Sequence, residues 1–135
     1  MKYMIMLYGS QRDYDLMSGE ATDASFDPEK LAAMHAFMGT WNAELVESGE
    51  FVDAKGLAAP ALTRRFGSKD GAPVITDGPY AETQEVLAGY TIIEVASPER
   101  ASEIVSKLAE CPNPGGGSTP YADLRPIIEG FDDLM

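Results

Sequence analysis

Apolar and polar residues follow two different periods along this chain, and together they predict a mixture of strands and helices. An unbroken apolar run from Tyr3 to Tyr8 ends at Gly9 and predicts a first strand within a core sheet. Polar residues then dominate from Gln11 to Phe26, which predicts a long surface loop with one helical turn around residues 13–17. A loop of this length could form a lid over a site.

Two later segments carry the signals that begin amphipathic helices. Asp27 stands before Pro28 and Ser97 before Pro98, so each segment has a capping side chain followed by proline at the first helical position. Apolar residues then recur at three- and four-residue steps, and Gly49 ends the first of the two helices. These apolar positions are Leu31, Met34, Met38, Trp41 and Leu45 in the first helix, and Ala101, Ile104, Val105 and Leu108 in the second.

Short β-prone segments fill the middle and the end of the chain, at residues 51–57, 62–66, 74–76, 87–95 and 121–128. The resulting order, β-α-β-β-α-β, predicts an α+β, ferredoxin-like fold with an antiparallel sheet that carries both helices on one face. The other face would expose alternate side chains from about five strands, so we expect a homodimer formed through the sheet. Pro126 predicts that the last strand lies at a sheet edge.

Composition narrows the class of protein. The chain has 135 residues, 44% of them hydrophobic and 24% charged, so we expect a single globular domain over residues 1–135. Its formal net charge of −12 argues against direct contact with nucleic acid or with an anionic membrane surface. One cysteine permits no disulfide within the chain, and no run is apolar enough for a signal peptide or a membrane span. We therefore expect a cytoplasmic protein.

The segment from Thr76 to Glu85 is the most distinctive part of the sequence. Asp77, Gly78 and Pro79 form a turn, because glycine accepts a positive φ and proline fixes its own φ and restricts the residue before it. Tyr80 follows at once, and Glu82 and Glu85 come next. The pattern predicts an acidic corner shaped by its backbone, in which the Asp77 side chain closes the turn.

This segment resembles the DGPF motif of the YCII-related family, with Tyr80 in place of phenylalanine. Similar residues recur in family order at 1–4, in the helix that bears His35, and at 87–90, 111–117 and 124–127. The resemblance implies a dimeric α+β barrel. Family members often accompany sigma factors of the extracytoplasmic type, which would make a partner of this chain a protein. Gln84 stands where lysine is more usual, so one cation beside the glutamates is missing.

His35 is the only histidine and therefore the first candidate for a general base. The family resemblance implies an acid–base pair of a histidine and an aspartate, which here would be His35 and Asp77. The alternative is a histidine at the border of the apolar stripe that only hydrogen-bonds a backbone group.

The three carboxylates of the corner could in principle bind a hard cation, but their spacing does not follow an EF-hand loop. One histidine and one cysteine are too few for a structural zinc site. Gly115–Gly117 lacks the Lys-Ser/Thr of a phosphate loop and is interpreted as a flexible connector. We therefore expect neither a metal nor a cofactor.

Arg64 and Arg65 lie next to each other on a predicted strand, so their side chains point to opposite faces. One of them could bind an anionic ligand, since guanidinium holds a carboxylate through two hydrogen bonds. Simple ion pairing with the surplus acids is the alternative.

These features favour a small dimeric ligand-binding or regulatory accessory domain without catalysis. Its expected ligand-binding residues are Arg64, Gly78, Pro79, Tyr80 and Glu82. A second hypothesis is a hydrolase or isomerase of a small organic molecule that uses His35 and Asp77 as its catalytic pair. A third is that the corner only seals the dimer.

Overall fold

A computed structural model describes residues 1–116, 120–130 and 132 of the chain. Strands and helices follow one another as β1 (Lys2–Gly9), α1 (Gln11–Ser18), α2 (Pro28–Ser48), β2 (Phe51–Gly56), β3 (Arg64–Lys69), β4 (Ala72–Asp77), β5 (Val86–Glu94), α3 (Pro98–Ser106) and β6 (Ala122–Pro126). Short 3-10 turns lie at Pro60–Leu62 and Lys107–Glu110.

The main sheet of the described chain has four strands in the order β2-β5-β1-β6, and every neighbouring pair is antiparallel. This is the predicted ferredoxin-like α+β fold, with β1 and β5 in the centre. β6 lies at an edge of the sheet, as predicted from Pro126. Proline lacks the N–H that would pair with a further strand. The single chain forms an open sheet and not a closed barrel.

The hydrophobic core lies between one face of this sheet and the helices. Tyr3 and Ile5 of β1 and Ile93 of β5 are buried there, and Trp41 of α2 and Ile104 of α3 pack against them. The Trp41 indole N–H donates to the carbonyl oxygen of Ile104 at 3.1 Å, which joins the two helices inside the core. The predicted stripe of α3 therefore faces the sheet, as does that of α2 from Met38 onward, while Leu31 and Met34 at the start of α2 are half-buried outside this core.

The predicted helix starts are confirmed at their caps. Asp27 accepts a hydrogen bond from the backbone N–H of Glu29 at 2.9 Å, and Ser97 accepts one from Arg100 at 3.1 Å. Gly49 ends α2 at a φ of 80°, in the left-handed region that glycine enters without steric cost.

The predicted loop at residues 11–26 is wrong in its first half, because α1 occupies eight residues there. Ser10 begins that helix with a capping box, in which its hydroxyl accepts from the Asp13 N–H and the Asp13 carboxylate accepts from the Ser10 N–H. Leu16 is the buried residue of α1. Its other residues are mostly polar, with Tyr14 and Met17 as the remaining apolar side chains.

The predicted strand at residues 62–66 begins two residues later in the structure, because Pro60 starts a 3-10 turn that ends at Leu62. β3 pairs with β4 through a turn at Asp70 and Gly71, whose φ values are 53° and 78°. Both residue types tolerate this conformation, as a tight hairpin requires. β3 and β4 form a separate two-stranded sheet, so the main sheet has four strands and not the five or so expected.

Cys111 follows the last turn after α3 and is partly buried, which raises the pKa of its thiol. Gly115 and Gly116 follow it in a loop, while Gly117 of the predicted connector lies outside the described residues. Within residues 1–116, 120–130 and 132, no helix is both long and apolar enough to cross a membrane.

Candidate functional site

The corner that follows β4 is shaped by its backbone, as its sequence predicts. Gly78 has a φ of 53°, and its N–H donates to the carbonyl oxygen of Thr63 at 2.8 Å. A further turn closes where the Gln84 N–H donates to the carbonyl oxygen of Ala81 at 3.0 Å. We define the corner as residues 63–65 and 76–85. The hydrogen bond from Gly78 to Thr63 joins these two segments, and the bond from Gln84 to Ala81 closes a turn within the second.

The corner is attached to α1, a helix of which the sequence predicted only one turn. The N–H of Arg12 donates to the carbonyl oxygen of Glu82 at 3.0 Å, and the Gln11 side chain accepts from the Ala61 N–H at 2.7 Å. The Tyr14 hydroxyl donates to the carbonyl oxygen of Leu57 at 2.8 Å, just after β2. α1 therefore holds the segment that leads into the corner and also the second half of the corner itself.

Arg64 and Asp77 are brought together by the register of the β3–β4 hairpin, in which they are directly paired. Arg64 Nε donates to Asp77 Oδ1 at 2.9 Å, and the guanidinium lies 5.5 Å from the centre of the Phe66 ring. The Asp77 side chain therefore pairs with an arginine, whereas the sequence predicted that it would close the turn onto the backbone. Arg64 therefore forms an ion pair, which was the alternative to ligand binding predicted for these arginines.

Arg65 points to the opposite face of the hairpin, as strand alternation predicts. Its guanidinium lies 5.3 Å from the centre of the Tyr80 ring, a cation–π contact. Tyr80 and Pro79 are half-buried, so the corner has one aromatic wall that is fixed by its neighbours.

The two glutamates of the corner have different surroundings. Glu82 is exposed and contributes its backbone carbonyl to the contact with α1. Glu85 also lies at the surface, where its hydrogen-bonding carboxylate raises the pKa of the Tyr121 phenol. Nowhere in the described chain do three His, Cys, Asp or Glu side chains converge as metal ligands would.

His35 lies on the exposed surface of α2, away from the face on which Trp41 and Leu45 enter the core. Among the described residues, no hydrogen bond or ion pair joins its ring to Asp77. A role for the two as an acid–base pair stays a prediction.

One cluster of polar and aromatic side chains was not found by sequence reasoning. The Tyr8 hydroxyl donates to Asp123 Oδ2 at 2.6 Å, and this hydrogen bond raises the pKa of Tyr8. The Tyr8 and Tyr121 rings stack with their centres 5.0 Å apart. The available signal was the alternation of Tyr121, Asp123 and Arg125 along the last strand, which sends all three to one face.

A small groove of about 130 Å³ lies on the helical layer, between α2 and the turn that follows α3. It is lined by Phe37, Thr40, Trp41, Glu44, Lys107 and Glu110. None of these residues belongs to the corner. The corner, by contrast, continues into a hairpin whose residues are all exposed.

Comparison with known proteins gives two matches. The family model described as the YCII-related domain matches residues 1–122. Over 82 residues the chain is 30% identical to an uncharacterised protein of Rhizobium meliloti (strain 1021), and this alignment covers 61% of the chain. The chain spans 63% of the length of that relative.

Proposed function

The chain belongs to the YCII-related family, and on that premise we propose that it is a small dimeric domain that binds a carboxylate-bearing small molecule at the corner. The observation that carries the proposal is the state of the Arg64 guanidinium. Its Nε is engaged by Asp77, while neither terminal nitrogen has a hydrogen-bond acceptor among the residues that the structure describes. The side chain is 58% exposed, so a ligand can reach it.

Guanidinium geometry determines the kind of ligand. Two terminal N–H groups in one plane match the two oxygens of a carboxylate, and such bidentate pairs are stronger than neutral hydrogen bonds. In a chain of net charge −12 the overall field does not attract an anion, so local donors must hold it. Arg64 is therefore the anchor in our proposal.

Other parts of the corner suit a small organic ligand. Gly78 lets the chain turn next to the anchor, because its φ of 53° costs glycine no steric strain. The aromatic ring beside the anchor is that of Phe66, 5.5 Å from the Arg64 guanidinium, whereas Tyr80 lies against Arg65 on the other face of the hairpin. Glu82 offers a carboxylate that would accept a hydrogen bond from a hydroxyl or amine of the ligand.

The dimer in this proposal is supported by the face of the main sheet that the helices leave uncovered. Strand alternation and register place Met4, Met6, Tyr90 and Ile92 together on that face, where all four are only half-buried. Apolar faces of this extent on a small domain are typical of protein interfaces. A second copy covering this face is the simplest partner, because identical subunits most often associate in symmetric pairs.

Thermal unfolding in the presence of a panel of small mono-, di- and tricarboxylic acids tests the ligand. We expect at least one of these acids to raise the melting temperature, because a ligand that binds the folded state alone stabilises it. Calorimetric titration would then give its affinity.

Arg64→Gln should weaken that affinity at least about tenfold, the usual cost of losing a charged hydrogen-bonding partner. Lys69→Gln is the matched control, since it removes an equal charge from the other end of the same strand. A panel in which no acid shifts the melting temperature would contradict the proposal. Equal losses from the two substitutions would show that only the overall charge matters.

A further inference from the structure

The register of the β3–β4 hairpin determines which backbone groups point away from it. β3 and β4 pair only with each other among the described strands, and every residue of both is exposed. The pair that flanks a two-residue turn exchanges both ladder hydrogen bonds, and here that pair is Lys69 with Ala72. Successive pairs then alternate, so the N–H and C=O groups of Ser68 and Phe66 point outward from β3.

The outer edge of β3 is better suited to further pairing than that of β4. The outward residue of β4 opposite Ser68 is Pro73, which has no N–H to offer another strand. Ser68 and Phe66 keep both groups, and these groups have no backbone hydrogen-bond partner among the described residues. Unpaired edges of this kind bind extended segments, in which main-chain hydrogen bonds supply the affinity.

One face of the hairpin, which we call the basic face, has two cations and no carboxylate. Strand alternation places on it the three pairs Arg65–Thr76, Gly67–Val74 and Lys69–Ala72. Among the described residues, neither Arg65 nor Lys69 forms an ion pair. The Arg65 guanidinium is held over the Tyr80 ring at 5.3 Å. These two positive charges are therefore available to a partner, although the whole chain has a net charge of −12.

The same charges select what can join the edge. A second copy that added its own β3 in antiparallel fashion would place the four cations of two basic faces on one side of the joined sheet, where like charges destabilise it. A segment with acidic side chains at the matching positions would form two ion pairs instead.

Gly67 lies between the two cations and leaves space above the strand. A Cβ on Gly67 would meet only the carbonyl oxygen of Val74 among the described atoms within 4 Å, at a distance of 3.9 Å. The Val74 side chain, on the same face, is 45% exposed. A large apolar side chain opposite Gly67 would therefore find room and an apolar neighbour.

We propose that the outer edge of β3 binds an extended acidic segment of a partner protein as a third, antiparallel strand. Its signature is an acidic residue, a large apolar residue two positions later and a second acidic residue two positions after that. These three lie opposite Lys69, Gly67 and Arg65 in turn. The two residues between them exchange main-chain hydrogen bonds with Ser68 and Phe66.

Calorimetric titration with the synthetic peptide Thr-Glu-Thr-Phe-Val-Glu-Thr, blocked at both ends, tests the proposal. We expect saturable binding, and replacing both glutamates by lysine should weaken it at least about fivefold, because each ion pair becomes a like-charge contact. Lys69→Glu should weaken binding of the original peptide by a similar factor. Lys30→Glu is the matched control, since Lys30 is an exposed cation in the first turn of α2, and it should stay within about twofold.

Two changes to the backbone distinguish strand addition from a contact of charges alone. Ser68→Pro removes one outward N–H and no ladder hydrogen bond, so it should weaken binding at least about fivefold, the value of one hydrogen bond. Ser68→Thr keeps that N–H and is its control. In the peptide, N-methylation of the valine, opposite Phe66, should weaken binding similarly. N-methylation of the phenylalanine should leave it within about twofold, because that N–H points away from β3.

Several outcomes would overturn the proposal. No saturable binding up to about 1 mM peptide, or equal affinity for the glutamate and lysine peptides, would rule out an acidic partner. Sensitivity to Lys69→Glu without sensitivity to N-methylation of the valine would rule out strand addition. A higher dimer dissociation constant for Ser68→Pro, in ultracentrifugation without peptide, would show that a second copy occupies the edge.

The peptide site and the proposed carboxylate site can fail separately. Arg64 lies on the opposite face of the hairpin, so Arg64→Gln should leave the peptide affinity within about twofold while it weakens binding of the small acid. Lys69→Glu should have the reverse selectivity. A peptide affinity that falls as much with Arg64→Gln as with Lys69→Glu would overturn the assignment of the peptide to the basic face.

Discussion

The backbone N–H of Arg12 donates to the carbonyl oxygen of Glu82 at 3.0 Å, so the first turn of α1 holds the far end of the corner. The stability of α1 and the order of the corner are therefore linked. α1 has only eight residues, and an isolated helix of that length is not stable in water. Its N-terminal cap should then matter more than it would for a long, well-buried helix.

We expect Ser10→Ala to destabilise the protein by about 1 kcal/mol and to loosen the corner, because it removes the hydroxyl that caps α1. Hydrogen exchange should become faster in residues 11–18 and in residues 78–85 together. Ser97→Ala removes an equivalent cap from α3 and is the control. It should lower stability by a similar amount and leave exchange in the corner unchanged relative to the global rate. Unaltered exchange in the corner of the Ser10 variant would contradict the coupling.

Gly115 is a packing position rather than a flexible connector. Its φ is 89°, and a Cβ at this position would collide with the backbone carbonyl of Ser25 in the loop before α2. The Asp27 N–H also donates to the carbonyl oxygen of Pro114 at 2.7 Å, so the two loops are in direct contact. Gly115→Ala should therefore destabilise the protein by about 2 kcal/mol or more in chemical unfolding, through strain and steric overlap.

Gly39→Ala is the matched control for that substitution. Gly39 lies inside α2, and a Cβ there would meet no described heavy atom within 4 Å. Alanine should stabilise this helical position by about 0.5 to 1 kcal/mol, because it reduces the freedom of the unfolded chain. If both substitutions change stability in the same direction, the packing argument for Gly115 is wrong.

Local signals in the sequence predicted most of the strands and helices. Asp27 with Pro28 and Ser97 with Pro98 located two helix starts correctly, because a cap and its proline act on the backbone next to them. The run from Tyr3 to Tyr8 located β1 for the same reason. α1 was predicted as a single turn and not as a full helix, although Ser10 and Asp13 are the residues of a capping box. The reason is that most residues of α1 are polar.

The candidate site depends on contacts that no local pattern contains. The Arg64–Asp77 pair follows from the hairpin register, which is fixed by the turn at Asp70 and Gly71. The contact of Tyr8 with Asp123 joins residues 115 positions apart and exists only because β6 is placed beside β1. Sequence could suggest which residues matter at the corner, but not which of them meet.

Asp23 should make stability depend on pH in the acid range. The Ser25 hydroxyl and N–H, together with the Arg12 guanidinium, lower the pKa of the Asp23 carboxyl to about 2. The pKa of an aspartate in an unfolded chain is about 3.9. Because the folded pKa is the lower one, the stabilisation is complete above about pH 4 and is lost as the pH falls from about 4 to about 2.

Urea unfolding at a series of pH values checks this expectation. Asp23→Asn should be less stable than the unsubstituted chain at pH 7, and the difference should disappear near about pH 2. Ser25→Ala removes only the hydroxyl donor and should show a smaller difference over the same pH range. A difference for Asp23→Asn that stays constant from neutral to acid pH would show that this carboxylate does not contribute through its ionised form.

His35 and Asp77 distinguish carboxylate binding from catalysis. If Arg64 is the anchor, Asp77 competes with the ligand for its guanidinium, so Asp77→Asn should tighten carboxylate binding by up to about fivefold, the value of an exposed ion pair. His35→Ala should leave the affinity within about twofold, because the ring lies on the exposed surface of α2. Calorimetric titration of both variants with the best acid of the panel measures this. In an enzyme that uses the two as an acid–base pair, each substitution would instead lower kcat by about a hundredfold or more without raising affinity. Turnover that disappears in both variants would replace the binding proposal by the catalytic one.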